Sequence, residues 1–142
     1  MRFDPALHSV LVNGYEIKDW ADGGDVIDFK YVTDAGAMTI GARGRGVFVA
    51  NQNRSAILTI KLLQHSPDNK FLNRLSALQR SNLKGFAALT LSIRDLINED
   101  RASGTSGFFT TLPGLTRGNA HNDTTHVIVF EQGNIILEDG VA

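Results

Sequence analysis

Four histidines have the widest chemical range in this chain, because imidazole can bind metal ions and transfer protons near neutral pH. His121 and His126 are five positions apart, with Asp123 between them. Metal ligands that share a face lie at i, i+2 on a strand or i, i+4 on a helix, and this spacing fits neither. We therefore predict that His126 packs in a strand, that His121 lies in a solvated loop, and that no metal binds. His8 and His65 are isolated in the sequence, which favours structural roles.

The sequence offers no nucleophile in the surroundings that covalent catalysis needs. Cysteine is absent, which excludes disulfides, thiolate nucleophiles and zinc–thiolate or iron–sulfur sites. The nearest approach to a serine elbow, Gly104-Thr105-Ser106-Gly107, lacks the G-x-S-x-G spacing. Asp19, Asp22 and Asp25 are typical turn residues of a glycine-rich loop. We therefore expect neither enzyme activity nor a cofactor.

A glycine- and arginine-rich stretch, Gly41-Ala42-Arg43-Gly44-Arg45-Gly46, suggests two kinds of ligand. It matches neither phosphate-binding glycine pattern, and a strand rather than a helix is predicted to follow it. It also lacks the interleaved aromatic residues of a nucleic-acid patch. We interpret it as a flexible segment whose arginines are solvated or contact an acidic protein surface.

Strands account for most of the elements that would position these residues. Apolar runs and alternating patterns predict strands at 7–12, 15–17, 26–33, 47–50, 54–64, 86–96, 108–112, 125–131 and 135–138. Asn13-Gly14 predicts a two-residue hairpin turn, and Gly133-Asn134 predicts a second turn. Long loops are predicted near 34–46 and 98–123, the first of which also reads as an extended hairpin.

One helix is predicted, at about 67–82. Ser66-Pro67-Asp68 supplies an N-cap, a proline at the first helical position and an acid in the first turn. The apolar spacing predicts a core-facing side and an outward polar side. The core-facing residues would be Phe71, Leu72, Leu75 and Leu78, and the outward ones Lys70, Asn73, Arg74 and Arg80.

Length and composition indicate a globular chain of one domain spanning 1–142. The 142 residues are 42% hydrophobic and 20% charged, which suits a packed core. The predicted class is mainly β, a sandwich or barrel with one helix packed on it. No apolar run approaches the ~20 residues that span a bilayer. An acid and a proline near Met1 argue against a signal peptide, so we expect synthesis in a reducing cytosol.

The net charge of −1 conceals three blocks of different sign. Residues 1–37 hold seven acids and three bases, residues 38–94 hold one acid and nine bases, and residues 95–142 hold seven acids and two bases. Such blocks can form opposed patches through which copies of a protein recognise one another. The fold could equally interleave the blocks and mix their charges.

The layout of the whole chain resembles the tail tube proteins of long-tailed bacteriophages, in particular those of contractile tails. The closest pieces are Asp22-Gly23-Gly24-Asp25, the strand ending at Gln64 with Ser66-Pro67-Asp68-Asn69 after it, and Arg94-Asp95. The resemblance implies a β-sandwich with one helix that forms six-fold rings. Stacked rings would make a tube, strands of neighbours would join into an inner barrel, and DNA would pass through the lumen during ejection. Secretion-system tubes share this fold.

The resemblance also implies partners and contact residues. The partners would be further copies of the chain, the tail sheath, the baseplate and the tail terminator, with DNA passing unspecifically and no membrane bound. Candidates for contacts between subunits are Trp20, Arg43, Arg45 and Phe48, and Lys70, Arg74 and Arg80 would lie on the outer wall. The location would be the virion tail, after assembly in the host cytoplasm. We expect 34–46 to become ordered on a neighbouring subunit.

Two other functions remain open at this stage. A small β-barrel module could bind nucleic acid or another ligand through Phe48, Arg43, Arg45 and Arg54. Such a module would be a stable monomer with salt-dependent DNA binding. An enzyme of unknown type is the second alternative, for which the sequence offers no site.

Overall fold

The computed structural model describes residues 8–22, 26–96, 99–115, 118 and 122–137. This part of the chain forms nine strands and one helix, which confirms the mainly β class. In chain order they are β1 (His8–Val12), β2 (Tyr15–Glu16), β3 (Ile27–Tyr31), β4 (Gly36–Ile40), β5 (Gly46–Ala50), β6 (Ala56–Leu62), α1 (Pro67–Ser81), β7 (Leu89–Asp95), β8 (Arg101–Thr111) and β9 (Thr124–Ile136).

Seven strands form one antiparallel sheet in the order β2-β1-β7-β8-β9-β6-β3. Side chains from both halves of this sheet, such as Val10 of β1 and Ile60 of β6, belong to the same buried core. The segment after β2 also reaches β6, where the Ala21 amide donates to the Lys61 carbonyl at 3.1 Å. The sheet therefore curves around its core and is nearly closed on itself.

Helix α1 begins as predicted. The Ser66 hydroxyl accepts a hydrogen bond from the Asp68 amide at 3.0 Å, with Pro67 at the first helical position. Leu72 is buried, and Phe71 and Leu75 pack against the core. The prediction for Leu78 is wrong, because its side chain is 57% exposed.

Gln79 faces the sheet where the hydrophobic spacing had favoured Leu78. Its amide group donates to the Phe109 carbonyl at 3.0 Å and accepts from the Phe109 amide at 2.8 Å. Strand β7 pairs with β8 only as far as Gly107, so among the described residues no strand pairs with Phe109 on that side. Gln79 therefore supplies the two hydrogen bonds that a neighbouring strand would make.

The predicted irregular stretch at 98–107 is wrong from Arg101 onward, where β8 begins. Its glycines are strand residues over which the Phe130 ring packs. A Cβ at Gly107 would lie 2.4 Å from a Phe130 ring carbon, and one at Gly104 would lie 2.8 Å away. The register between β7 and β8 also shifts here, and Ser106 has φ of 56°, as in a β-bulge.

The predicted turn at Gly133-Asn134 is also wrong, because β9 continues through it to Ile136. A Cβ at Gly133 would lie 2.5 Å from the Ala56 Cβ, so this glycine permits close approach of β6. In both places glycine marks tight packing between strands rather than a change of chain direction.

The hairpin reading of 34–46 is confirmed, and the loop reading is wrong over β4. Strand β4 pairs with β5 from Gly36–Ala50 to Ile40–Gly46. Backbone hydrogen bonds from Val32 to Ser55 and from Asn51 to Ala35 continue the β3–β6 pairing toward this hairpin. The two hairpin strands thus extend the last two strands of the sheet as one ribbon. We call residues 32–55 the arm.

Gly107→Ala should destabilise the chain, because the new methyl group must displace the buried Phe130 ring. Overpacking of this kind typically costs ~1–3 kcal/mol in the free energy of unfolding. Gly114→Ala is the control, since a Cβ there would have nothing within 4 Å. Urea denaturation of both variants measures the difference. Equal unfolding midpoints would contradict the close packing of β8 on Phe130.

Candidate interaction surface

The arm carries a large apolar surface that its own subunit leaves exposed. Met38, Ile40, Val47, Phe48 and Val49 are each 59–63% exposed. A two-stranded hairpin is marginally stable by itself in water. Contiguous exposed apolar patches on soluble proteins commonly mark interaction sites. The arm is therefore the strongest candidate for a surface that another molecule covers.

The strand register divides the apolar side chains of the arm between two faces. Residues directly opposite each other share a face, and Met38 pairs with Phe48. Because side chains alternate along a strand, Ile40 lies on this same face, which we call the Phe48 face. The opposite face, the Val47 face, carries Val47 opposite Thr39 and Val49 opposite Ala37.

Two glycines allow the side chains of the Phe48 face to lie flat on the ribbon. A Cβ at Gly36 would lie 2.3 Å from the Phe48 Cζ atom. A Cβ at Gly46 would lie 2.9 Å from the Met38 Sδ and Ile40 Cδ1 atoms. The ring and the thioether therefore cover the backbone of the opposite strand and give the face a low profile.

The tip of the arm is basic. Arg43 and Arg45 are exposed and have no ion pair with any residue in the described ranges. The turn that presents them is closed by a 2.7 Å hydrogen bond from the Gly41 amide to the Arg45 carbonyl, with Gly44 at φ of 80°. No acid occurs in the sequence between Asp34 and Asp68.

The structure brings three of the four predicted contact residues together on the arm, namely Arg43, Arg45 and Phe48. Trp20 lies elsewhere, is half-buried, and packs against the core of its own subunit. Four apolar residues of the arm were not predicted from the sequence as contact residues, namely Met38, Ile40, Val47 and Val49. The uninterrupted apolar run at 47–50 was the available signal.

Lys70, Arg74 and Arg80 are exposed on α1, on the side facing away from the sheet. They have no ion pair with other residues of the described part of the chain. Their predicted placement on an outer wall requires an assembly and stays a prediction.

The buried polar residues serve the fold of the subunit. Asp68 accepts hydrogen bonds from the Tyr15 hydroxyl at 2.8 Å and from the Lys18 and Asp19 amides at 2.8 and 3.1 Å. The hydrogen bond to Asp68 raises the pKa of Tyr15. The Tyr15 ring stacks on the Phe71 ring, with 4.0 Å between the ring centroids. These contacts join the β1–β2 hairpin to the start of α1.

His126 is buried in β9, as predicted, and its Nε2 lies 2.9 Å from the Asn69 Oδ1 atom. Burial lowers the pKa of His126 to about 4, so the imidazole is neutral at pH 7. Because an amide oxygen only accepts, the tautomer with hydrogen on Nε2 is the one that donates to Asn69. His121 lies outside the described residues. Within the described ranges, no three His, Asp or Glu side chains form a group that could hold a metal ion. No helix in that part of the chain is long and apolar enough to cross a bilayer.

In the described residues, a curved antiparallel sheet carries a helix on its surface and a projecting apolar arm. Residues 8–138 match the bacteriophage PhiTE tail tube protein family, and the chain belongs to that family. No curated protein matches the sequence. The family assignment confirms the resemblance to phage tail tube proteins noted from the sequence.

Solved structures of low sequence identity share the fold. The sheath/tube terminator of an extracellular contractile injection system (PVC) has a TM-score of 0.64 and 12% identity, over 96% of this chain and 97% of that one. The anti-feeding prophage cap has a TM-score of 0.61 and 14% identity, over 96% of this chain and 92% of the cap chain. A chain of the PVC sheath–tube complex has a TM-score of 0.60 and 12% identity, over 97% of this chain and 92% of that one.

His126 should make stability depend on pH. Its pKa is about 4 in the folded state and about 6.5 when unfolded, so the unfolded chain takes up the proton first as pH falls. The stability associated with neutral His126 is complete above pH 6.5 and lost as pH falls to 4, a difference of about 3 kcal/mol. Denaturation of wild type and His126→Gln at pH 7 and pH 4 should therefore show the gap between their unfolding free energies shrink by that amount. Parallel pH curves would contradict a buried neutral imidazole.

Proposed function

We propose that this chain is the repeating subunit of a phage tail tube. Six copies form a ring, rings stack into a tube, and the lumen conducts DNA during ejection. The observation that carries the proposal is the arm, an exposed apolar ribbon on a chain of the tail tube family. Its partner is a further copy of the same chain.

The distribution of charge supports self-association. Residues 35–67 carry four bases and no acid, so the rest of a chain with a net charge of −1 carries −5. A basic arm tip and an acidic remainder attract each other between copies. Each exposed ion pair contributes only ~0–1 kcal/mol, but the same pair repeats at every equivalent contact of a closed ring.

The remaining partners follow from the tube. In a contractile tail, the exposed side of α1 with Lys70, Arg74 and Arg80 faces the sheath. A chain of similar fold comes from a sheath–tube complex, which supports a sheath as a partner. The baseplate and the tail terminator cover the two ends of the tube. DNA passes without sequence-specific contacts, and the subunits assemble in the host cytoplasm before residing in the virion.

Electron microscopy of the purified protein tests the proposal. We expect tubes of uniform diameter built from six-fold rings. Rings that never stack would overturn the repeating tube and favour a role at the end of a tube, since two chains of similar fold are a tube terminator and a tube cap. A persistent monomer that binds duplex DNA in a salt-dependent way would support the nucleic-acid module and overturn the tube.

Replacing the two arm-tip arginines should impair assembly and leave folding intact. Arg43→Glu with Arg45→Glu puts acids at the exposed tip, where they repel the acidic surfaces of other copies. We expect pelleting assays to show little tube at low salt and partial recovery at high salt, because salt screens the repulsion. The melting temperature of the subunit should not change.

The matched control is Lys70→Glu with Arg74→Glu, which makes the same change of charge on the exposed side of α1. It should leave tube formation unchanged in the absence of a sheath. Normal pelleting of the arm-tip variant at low salt would exclude these arginines from the contact between subunits.

A further inference from the structure

The arm differs from the rest of its own ribbon in how apolar residues are distributed. In β3, Ile27 and Phe29 pack toward the core, whereas Asp28 and Lys30 point outward and are exposed. Such alternation is expected where one face of a sheet is buried and the other is in water. The ribbon thus alternates between apolar and polar side chains in β3, where it lies against the core of its own subunit.

Beyond Tyr31 the alternation stops. The Phe48 face carries Met38, Ile40 and Phe48, and the Val47 face carries Val47 and Val49. All five side chains are about equally exposed, at 59–63%. A strand that is apolar on both sides is typical of strands buried on both sides. Docking on a single flat surface would leave one of these apolar faces in water.

We propose that the arm inserts between two other copies of the chain, one covering the Phe48 face and the other the Val47 face. This inference rests on the proposed self-assembly and goes beyond it by assigning each face its own partner. The occupants are copies of the chain because the arm is basic, with three arginines and the single acid Asp34 giving a net charge of +2, whereas the remainder of each copy carries −3.

Two-sided insertion has a consequence for the order of assembly. In a dimer, the second subunit covers one face of the first subunit's arm and leaves the other face in water. The second face is covered only when a third copy arrives. Dimers are therefore weak, and assembly has a sharp threshold concentration below which subunits remain monomeric.

Two variants separate the faces with minimal change of shape. Val47→Thr with Val49→Thr makes the Val47 face polar and keeps the branching at Cβ that strands favour. Met38→Gln makes the Phe48 face polar with a side chain of similar length. Leu78→Gln is the control, because Leu78 is an exposed apolar residue outside the arm, at 57%.

The threshold concentration for tube formation, measured by light scattering, is the readout. We expect both arm variants to raise it about ten-fold or more, the change that ~1.4 kcal/mol of lost association free energy produces. The Leu78→Gln threshold should equal that of wild type. The subunit melting temperatures should stay unchanged for both arm variants, since no arm side chain belongs to the core.

Different outcomes overturn different statements. If only one arm variant raises the threshold, the arm lies on a single partner and the two-sided insertion is wrong. The proposed tube function would not be contradicted by that result. If neither does and tubes still form, the arm is not a contact between subunits. A wild-type chain that stays monomeric at every concentration overturns both the insertion and the proposed tube.

Discussion

The antiparallel pairing of β3 with β6 is the constraint on which the rest of the structure depends. It places Ile27 opposite Ile60 and Phe29 opposite Leu58, which aligns their side chains on the core side of the sheet. A slip of one residue would turn every such side chain outward. Because the arm continues the same two strands, this register also fixes which arm residues share a face. The buried core and the exposed arm are thus two consequences of one ladder of hydrogen bonds.

Features encoded by neighbouring residues could be predicted from the sequence. Asn13-Gly14 makes the expected tight turn, with positive φ at both positions, and Ser66 caps α1 where its spacing to Asp68 indicates. Features that depend on distant residues could not. Gly104 and Gly107 are typical of a loop in the sequence, because nothing near them indicates that the distant Phe130 ring packs on them. Leu78 fits the apolar spacing of α1, but its side chain is exposed, and the side of α1 that reaches β8 presents Gln79.

The candidate surface could be predicted in part for a related reason. Arg43, Arg45 and Phe48 were identified from residue type and position, and they lie on the arm. The apolar run at 47–50 was predicted as a strand, which the structure confirms, and all of its side chains are exposed in the subunit. A strand buried in its own subunit and one buried by a neighbour obey the same physical requirement, which is removal of apolar surface from water. Sequence pattern therefore predicts burial without saying which molecule provides it.

The pairing of Gln79 with Phe109 has a consequence for solubility. The backbone of β8 beyond Gly107 would otherwise be a bare strand edge, which attracts stray strands and leads to amorphous aggregates. The glutamine amide already occupies the donor and the acceptor at Phe109. An intruding strand would have to break two hydrogen bonds to form two, and it would gain nothing by the exchange. The subunit thus protects this edge from promiscuous growth while its arm stays available for association.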